Sequence, residues 1–122
     1  MSVDVKLLTT EVERLANLYP NAVYKRESVG TSCKYTRGEV INSDNGEVVG
    51  CGCIIGQAIL NLYPGLRDQL ESVDRFAALS VTDLLYRLTY TNAESQADID
   101  YLMEIQNKQD REASWGECIN NN

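Results

Sequence analysis

From Cys53 to Tyr63 the chain reads Cys-Ile-Ile-Gly-Gln-Ala-Ile-Leu-Asn-Leu-Tyr, a nearly continuous apolar run closed by Pro64-Gly65. Ile54, Ile55, Ala58, Ile59 and Leu62 spread around more than one face of a helix, and such a helix is stable only where several other elements cover it. Each aliphatic side chain fully buried there contributes roughly 1.5–3 kcal/mol. With 122 residues in all, the chain can build one core around this helix and has few helices to spare. The run therefore predicts a single domain over 1–119 with this helix at its centre, enclosed by the rest of the chain or in part by a second copy. The final Asn120-Asn121-Asn122 reads as a disordered tail.

The covering elements follow from periodicity. Val5, Leu8, Val12, Leu15, Ala16 and Tyr19 recur at helical spacing, which predicts an amphipathic helix from about Val3 to Leu18, stopped by Tyr19-Pro20-Asn21. Asn21 to Lys25 reads as a brief strand. Ser32 to Gly50 reads as β structure: Ser32-Cys33-Lys34-Tyr35-Thr36 alternates, Gly38-Glu39-Val40-Ile41 follows, and Asn45-Gly46 before Glu47-Val48-Val49-Gly50 predicts a type I′ hairpin turn. Leu66 to Phe76, Ser80 to Tyr90, and a stretch opened by the capping-box pattern Thr91-Asn92-Ala93-Glu94 and ending near Gln109 or Arg111 read as helices. The expected class is α+β, a small antiparallel sheet of two or three strands packed against four or five helices. Leu8, Val12, Leu15, Leu102 and Ile105 are the expected covers of the central helix.

Composition narrows the chemistry. The chain has no histidine, which excludes Ser-His-Asp and Cys-His catalysis, the common zinc hydrolase sites and histidine pH switching. Eleven Lys and Arg against 18 Asp and Glu give a net charge of −7, so no direct nucleic-acid binding is expected, since that needs a basic stripe. No stretch approaches the roughly 18 apolar residues of a membrane span. The first residues also lack the order of a secretory signal, so a cytoplasmic protein without a membrane partner is expected.

Cys33, Cys51, Cys53 and Cys118 are the candidate metal ligands, because four thiolates suffice for zinc. The spacing Cys51-x-Cys53 does not aim two sulfurs into one site as a Cys-x-x-Cys turn does, so neither a metal nor a cofactor is expected. Reduced thiols buried as small hydrophobes are the default in a cytoplasmic protein. Cys53 stands apart, because a thiol at a helix N-terminus feels the positive end of the dipole and ionises more readily. Without histidine, a base for it would have to be a carboxylate or lysine.

Gly50-Cys51-Gly52-Cys53, between a predicted strand and the central helix, is the one small-ligand cue, since such a turn lets backbone N–H groups approach a phosphate. The spacing fits neither the dinucleotide fingerprint nor the P-loop, and the favoured reading is that Gly50 and Gly52 shape the turn while Gly56 lets another element pack close. Gln106, Gln109 and Asp110 fall at i, i+3 and i+4 on one helical face, followed by Trp115. They read either as a polar binding face with an aromatic hot spot or as an anchor closing the terminus on the core. The candidate ligand-binding set is thus Gly50, Gly52, Cys53, Gln106, Gln109, Asp110 and Trp115, with no catalytic residue assigned.

Cys53-Ile54-Ile55-Gly56, then Gln106-Asn107-Lys108-Gln109-Asp110, then Trp115-Gly116, resemble the Cys-aliphatic-aliphatic-Gly, Gln-x-x-Gln-Asp and Trp-Gly motifs of a group of short uncharacterised proteins of actinobacteria and their phages. The resemblance covers about half of the chain, from Cys53 onward, and carries no activity; Cys33, Cys51 and Cys118 depart from it. It implies a phage-type accessory protein acting in the host cytoplasm. Two functions follow as expectations: non-catalytic binding of a host protein through the acidic surface, or capture of a nucleotide or other phosphorylated metabolite at the glycine-rich turn as counter-defence.

Overall fold

The computed structural model describes residues 2–25, 34–76, 79–91 and 96–119. It is α+β, with β1 (Val3–Asp4), α1 (Val5–Leu18), β2 (Ala22–Tyr24), β3 (Glu39–Asn42), β4 (Val48–Cys51), α2 (Ile54–Leu62), a 3-10 turn (Pro64–Leu66), α3 (Arg67–Phe76), α4 (Val81–Leu88), β5 (Tyr90–Thr91), α5 (Gln96–Asp110) and α6 (Trp115–Ile119). The main sheet is antiparallel in the order β2-β3-β4, and β1 and β5 form a separate two-residue parallel pair.

α2 is the centre. Ile54, Ile55, Ala58 and Ile59 are fully buried, as are Leu8 and Val12 of α1 and Leu102 and Ile105 of α5, with Leu15 nearly so. The apolar row of α1 thus packs on one side of α2 and that of α5 on another, and the enclosure needs no second copy. Tyr63, before Pro64, ends the helix, since the residue preceding proline is pushed out of the α region.

Several boundaries differ from the periodicity. The first helix starts at Val5 because the Asp4 side chain caps it, accepting from the Leu7 N–H at 3.0 Å; Val3 instead pairs with Tyr90. The segment 34–36 is not a strand. Its alternation reflects Tyr35, which is buried, between half-buried neighbours, while Asp74 of α3 holds its backbone: the Asp74 carboxylate accepts from the Tyr35 N–H (2.9 Å), the Thr36 N–H (2.7 Å) and the Thr36 hydroxyl (2.6 Å). The β3–β4 turn is not type I′, which needs two positive φ values. Asn42 closes it by donating to the Glu47 carbonyl, and within it Gly46 alone has a positive φ, +73°. The expected strand residues Ser32 and Cys33, the cap at 92–94 and the tail at 120–122 lie outside the described residues.

α6 is a helix the periodicity missed. Its signal is Ser114-Trp115-Gly116-Glu117, a capping box: the Glu117 N–H donates to the Ser114 hydroxyl (3.3 Å), and the Ser114 N–H donates to Glu117 Oε1 (3.1 Å). Five residues are too few to show a hydrophobic period, so only the cap marks the element.

Candidate functional site

α5 carries Ile99, Leu102, Ile105, Gln106 and Gln109 on its buried face. The two glutamines continue an apolar row, so their side chains enter the interior where that row ends, between the N-terminus of α2 and α6. Gln109 is fully buried and Gln106 nearly so. The Gln109 carbonyl oxygen accepts from the Ile54 N–H (3.0 Å) and from Trp115 Nε1 (3.2 Å), and its amide nitrogen donates to Gln106 Oε1 (3.1 Å). The Gln106 side chain in turn hydrogen-bonds the Cys53 sulfur. Trp115 is fully buried, edge-on to Tyr19 with ring centroids 6.5 Å apart.

Four of the residues singled out in sequence, Cys53, Gln106, Gln109 and Trp115, therefore meet in one cluster that ties α2, α5 and α6 together. Asp110 is half-buried at the end of α5. Gly50 lies in β4 opposite Val40 and against the Gln57 side chain. Gly52 adopts φ +92°, a conformation that glycine adopts without a Cβ clash. Its N–H donates to the Gly38 carbonyl (2.8 Å).

The glycine-rich turn is filled by the chain itself. A Cβ on Gly52 or Gly56 would overlap the Tyr35 carbonyl, so both glycines serve the close approach of the segment that Asp74 holds. The donors at the start of α2 are also taken. Cys53 N–H goes to the Lys34 carbonyl (2.9 Å), Ile54 N–H to Gln109 (3.0 Å), and Gln57 N–H to the Cys53 carbonyl (2.9 Å). The N–H groups of Gly56 and Ile55 point to the Cys53 sulfur. A phosphate at this terminus would have to displace both Gln109 and the 34–36 segment.

Cys53 is fully buried, and that burial pushes its thiol up to about 12. The N–H of Gly56, the Gln106 side chain and the N–H of Ile55 act in the opposite direction, and Asp74 adds a small upward push. Desolvation outweighs the helix terminus here, which leaves the thiolate strongly disfavoured at neutral pH. Burial likewise pushes Cys118 up to about 12. Cys51 is exposed on β4, and Cys51, Cys53 and Cys118 are free thiols. Among the described residues no three Cys, Asp or Glu side chains converge as metal ligands. Cys33 lies outside the described residues.

Asp74 is the residue that sequence reading missed. Nothing local marks it, because its partners, Tyr35 and Thr36, are 39 and 38 positions away. Its one signal is position: it directly follows Val73, on the buried side of an α3 whose other charged residues face outward. Comparison with family models, with curated proteins and with solved structures finds no match to this chain.

Proposed function

We propose that this chain is a non-catalytic accessory protein of phage type that acts by binding a host protein, its acidic surface meeting a basic one. The observation that carries the reading is the division of polar groups between interior and surface. Cys53, Gln106, Gln109 and Trp115, the side chains best suited to chemistry, are spent on one another. The outward side of α5 instead presents Asp100 and Glu104, exposed one helical turn apart, and the β3–β4 hairpin presents exposed Glu39, Asp44 and Glu47. With a net charge of −7, such faces steer association with basic surfaces and select against acidic partners. The short-motif resemblance to phage-encoded proteins supports a host target.

Capture of a phosphorylated metabolite is the weaker reading, since the backbone donors it needs are already bonded within the chain. A pull-down from actinobacterial lysate tests the proposal. A specific partner recovered at low salt, released at high salt and lost in the Asp100→Lys/Glu104→Lys or Glu39→Lys/Glu47→Lys variant supports it. No partner above background at low salt, together with a thermal shift on adding a nucleotide, would replace it with the ligand reading.

A further inference from the structure

The main sheet has one closed edge and one open edge. In the order β2-β3-β4, β2 is bridged on its outer side from Val23 to Ser114, whereas β4 leaves Val48 53% exposed and Cys51 exposed. The ladder fixes which backbone groups of β4 face outward. The Asn42 N–H donates to the Glu47 carbonyl (2.9 Å) and the Gly52 N–H to the Gly38 carbonyl (2.8 Å), with Val40 opposite Gly50 between them. Ile41–Val48 and Glu39–Cys51 are therefore the non-bonded pairs of this ladder. Glu39 turns to β2, where its carbonyl accepts from the Lys25 N–H (2.9 Å). Val48 and Cys51 turn their N–H and C=O groups to the outer edge, and none of these has a partner among the described residues.

Val48 and Cys51 are three apart in sequence but lie opposite Ile41 and Glu39, which are two apart, because Val49 is the extra residue of a bulge. Their outward groups thus stand at the spacing of a regular strand, and an antiparallel fourth strand satisfies all of them with two of its own residues. On the open face, Val23, Ile41 and Val48 form an apolar row across the sheet, which a residue opposite Val48 would extend. A residue opposite Cys51 would lie two strand spacings from Glu39, about 10 Å, within reach of a long basic side chain. Glu47 adjoins Val48 at the turn. Glu39 and Glu47 are exposed, and neither has an ion-pair partner among the described residues, the exposed Arg37 included. A second copy fits this edge less well, since it brings the same acidic hairpin and a further charge of −7.

We propose that the partner is captured at the edge of β4 as an added antiparallel strand, through an extended segment of the pattern basic-x-apolar-basic. Its first basic residue lies opposite Cys51 and reaches Glu39, its apolar residue lies opposite Val48, and its second basic residue lies opposite Glu47. Main-chain hydrogen bonds supply the affinity, and the two glutamates supply the selection. The proposal rests on the reading of this chain as an acidic binder of a basic surface and gives that partner its chemistry and its mode of docking.

The probe is the peptide acetyl-Thr-Lys-Thr-Val-Lys-Thr-amide, titrated to about 10 mM into isotope-labelled protein at low salt, with amide exchange followed by NMR. Exchange at Val48 and Cys51 should slow as the peptide saturates. The same peptide N-methylated at its first lysine and its valine lacks the two donors aimed at β4 and should bind at least about fivefold more weakly to the unaltered protein. Cys51→Pro removes an N–H that no ladder bond uses, so the circular dichroism spectrum should stay unchanged while peptide binding falls by a similar factor. Glu39→Lys/Glu47→Lys should abolish binding. Unslowed exchange at Val48 and Cys51, equal binding of the methylated peptide, or binding indifferent to the charge reversal would each overturn the proposal. So would protection of these amides before peptide is added in protein that sediments as a dimer, which assigns the edge to a second copy. A lysate partner that Cys51→Pro still retains overturns strand addition and leaves the acidic-surface reading standing. No lysate partner, with the peptide still protecting Val48 and Cys51, removes that reading and supports the edge as a strand-binding site.

Discussion

Replacing Gln109 by leucine tests the central claim about the buried cluster, because the change keeps most of the volume and removes every polar contact. In the native chain the Gln109 carbonyl oxygen accepts from the Ile54 N–H and from Trp115 Nε1, both buried. Leucine leaves both donors without an acceptor and Gln106 Oε1 without a donor. Each buried group left unsatisfied costs roughly 1–3 kcal/mol, so the two N–H groups alone predict a loss of about 2–6 kcal/mol. That is a large share of the ~5–15 kcal/mol that holds a typical domain together. Trp115 is the chain's one tryptophan, so its fluorescence reports unfolding from inside the cluster. With a urea slope of about 1–3 kcal/mol/M, the midpoint should fall by at least about 0.7 M.

A glutamate at the same position separates hydrogen bonding from packing. Gln109→Glu keeps acceptors for Ile54 and Trp115 but loses the donor to Gln106 unless the carboxyl is protonated. Burial raises the folded-state pKa of that carboxyl above its unfolded value. The neutral form is therefore the one that fits, and the variant keeps its stability below the unfolded pKa and loses it as pH rises through the folded one. Its deficit relative to wild type should be smaller at pH 4 than at pH 8. A leucine variant within about 0.5 kcal/mol of wild type, or a glutamate variant whose deficit is independent of pH, would refute the role given to Gln109.

Three further outcomes are expected. Alkylation at neutral pH with peptide mapping should modify exposed Cys51 at least about 100-fold faster than Cys53 or Cys118, whose thiols burial pushes up to about 12. Glu112 has φ +62° at the end of α5, where its N–H donates to the Gln109 carbonyl and the Ala113 N–H to the Lys108 carbonyl. This is a Schellman motif with a non-glycine residue at its left-handed position, so Glu112→Gly should stabilise by about 0.5–1 kcal/mol and raise the melting temperature by about 2–5 °C. The Ser114 hydroxyl and N–H hold the Glu117 carboxyl below its usual 4.5. Its contribution is therefore present above that value and lost as pH falls through the lowered folded one, so Glu117→Gln should lower the urea midpoint at pH 7 and leave it unchanged in strong acid.

The apolar run at Cys53–Tyr63 announced the centre of the fold because its residues, whichever way the helix turned, had to be covered. The helical rows of α1 and α5 were legible for the same reason, since Leu8, Val12, Leu102 and Ile105 recur at a period that only a helix reads. The segment 34–36 misled because a two-residue alternation says which side chains are buried and not what covers them. Its backbone is satisfied by Asp74, a long-range partner that no local pattern encodes. At β1, two residues carry too little pattern to show a strand.

The candidate site was legible as a set of residues and not as a direction. Gln106 and Gln109 share the spacing of the apolar residues before them, and that spacing is the same whether the amides face solvent or the core. What decides it is the end of α2. Its first N–H groups are buried and need acceptors, and the chain supplies them at the Lys34 carbonyl and through Gln109. Trp115 needs an acceptor for its indole N–H once it is buried against Tyr19, and the same carbonyl oxygen serves it. One buried amide thereby meets two demands, from elements separated by more than 50 positions in the chain. Any ligand drawn to the start of α2 would have to offer at least that many hydrogen bonds in exchange, which moves the search for a partner to the outer face of α5 and to the β3–β4 hairpin.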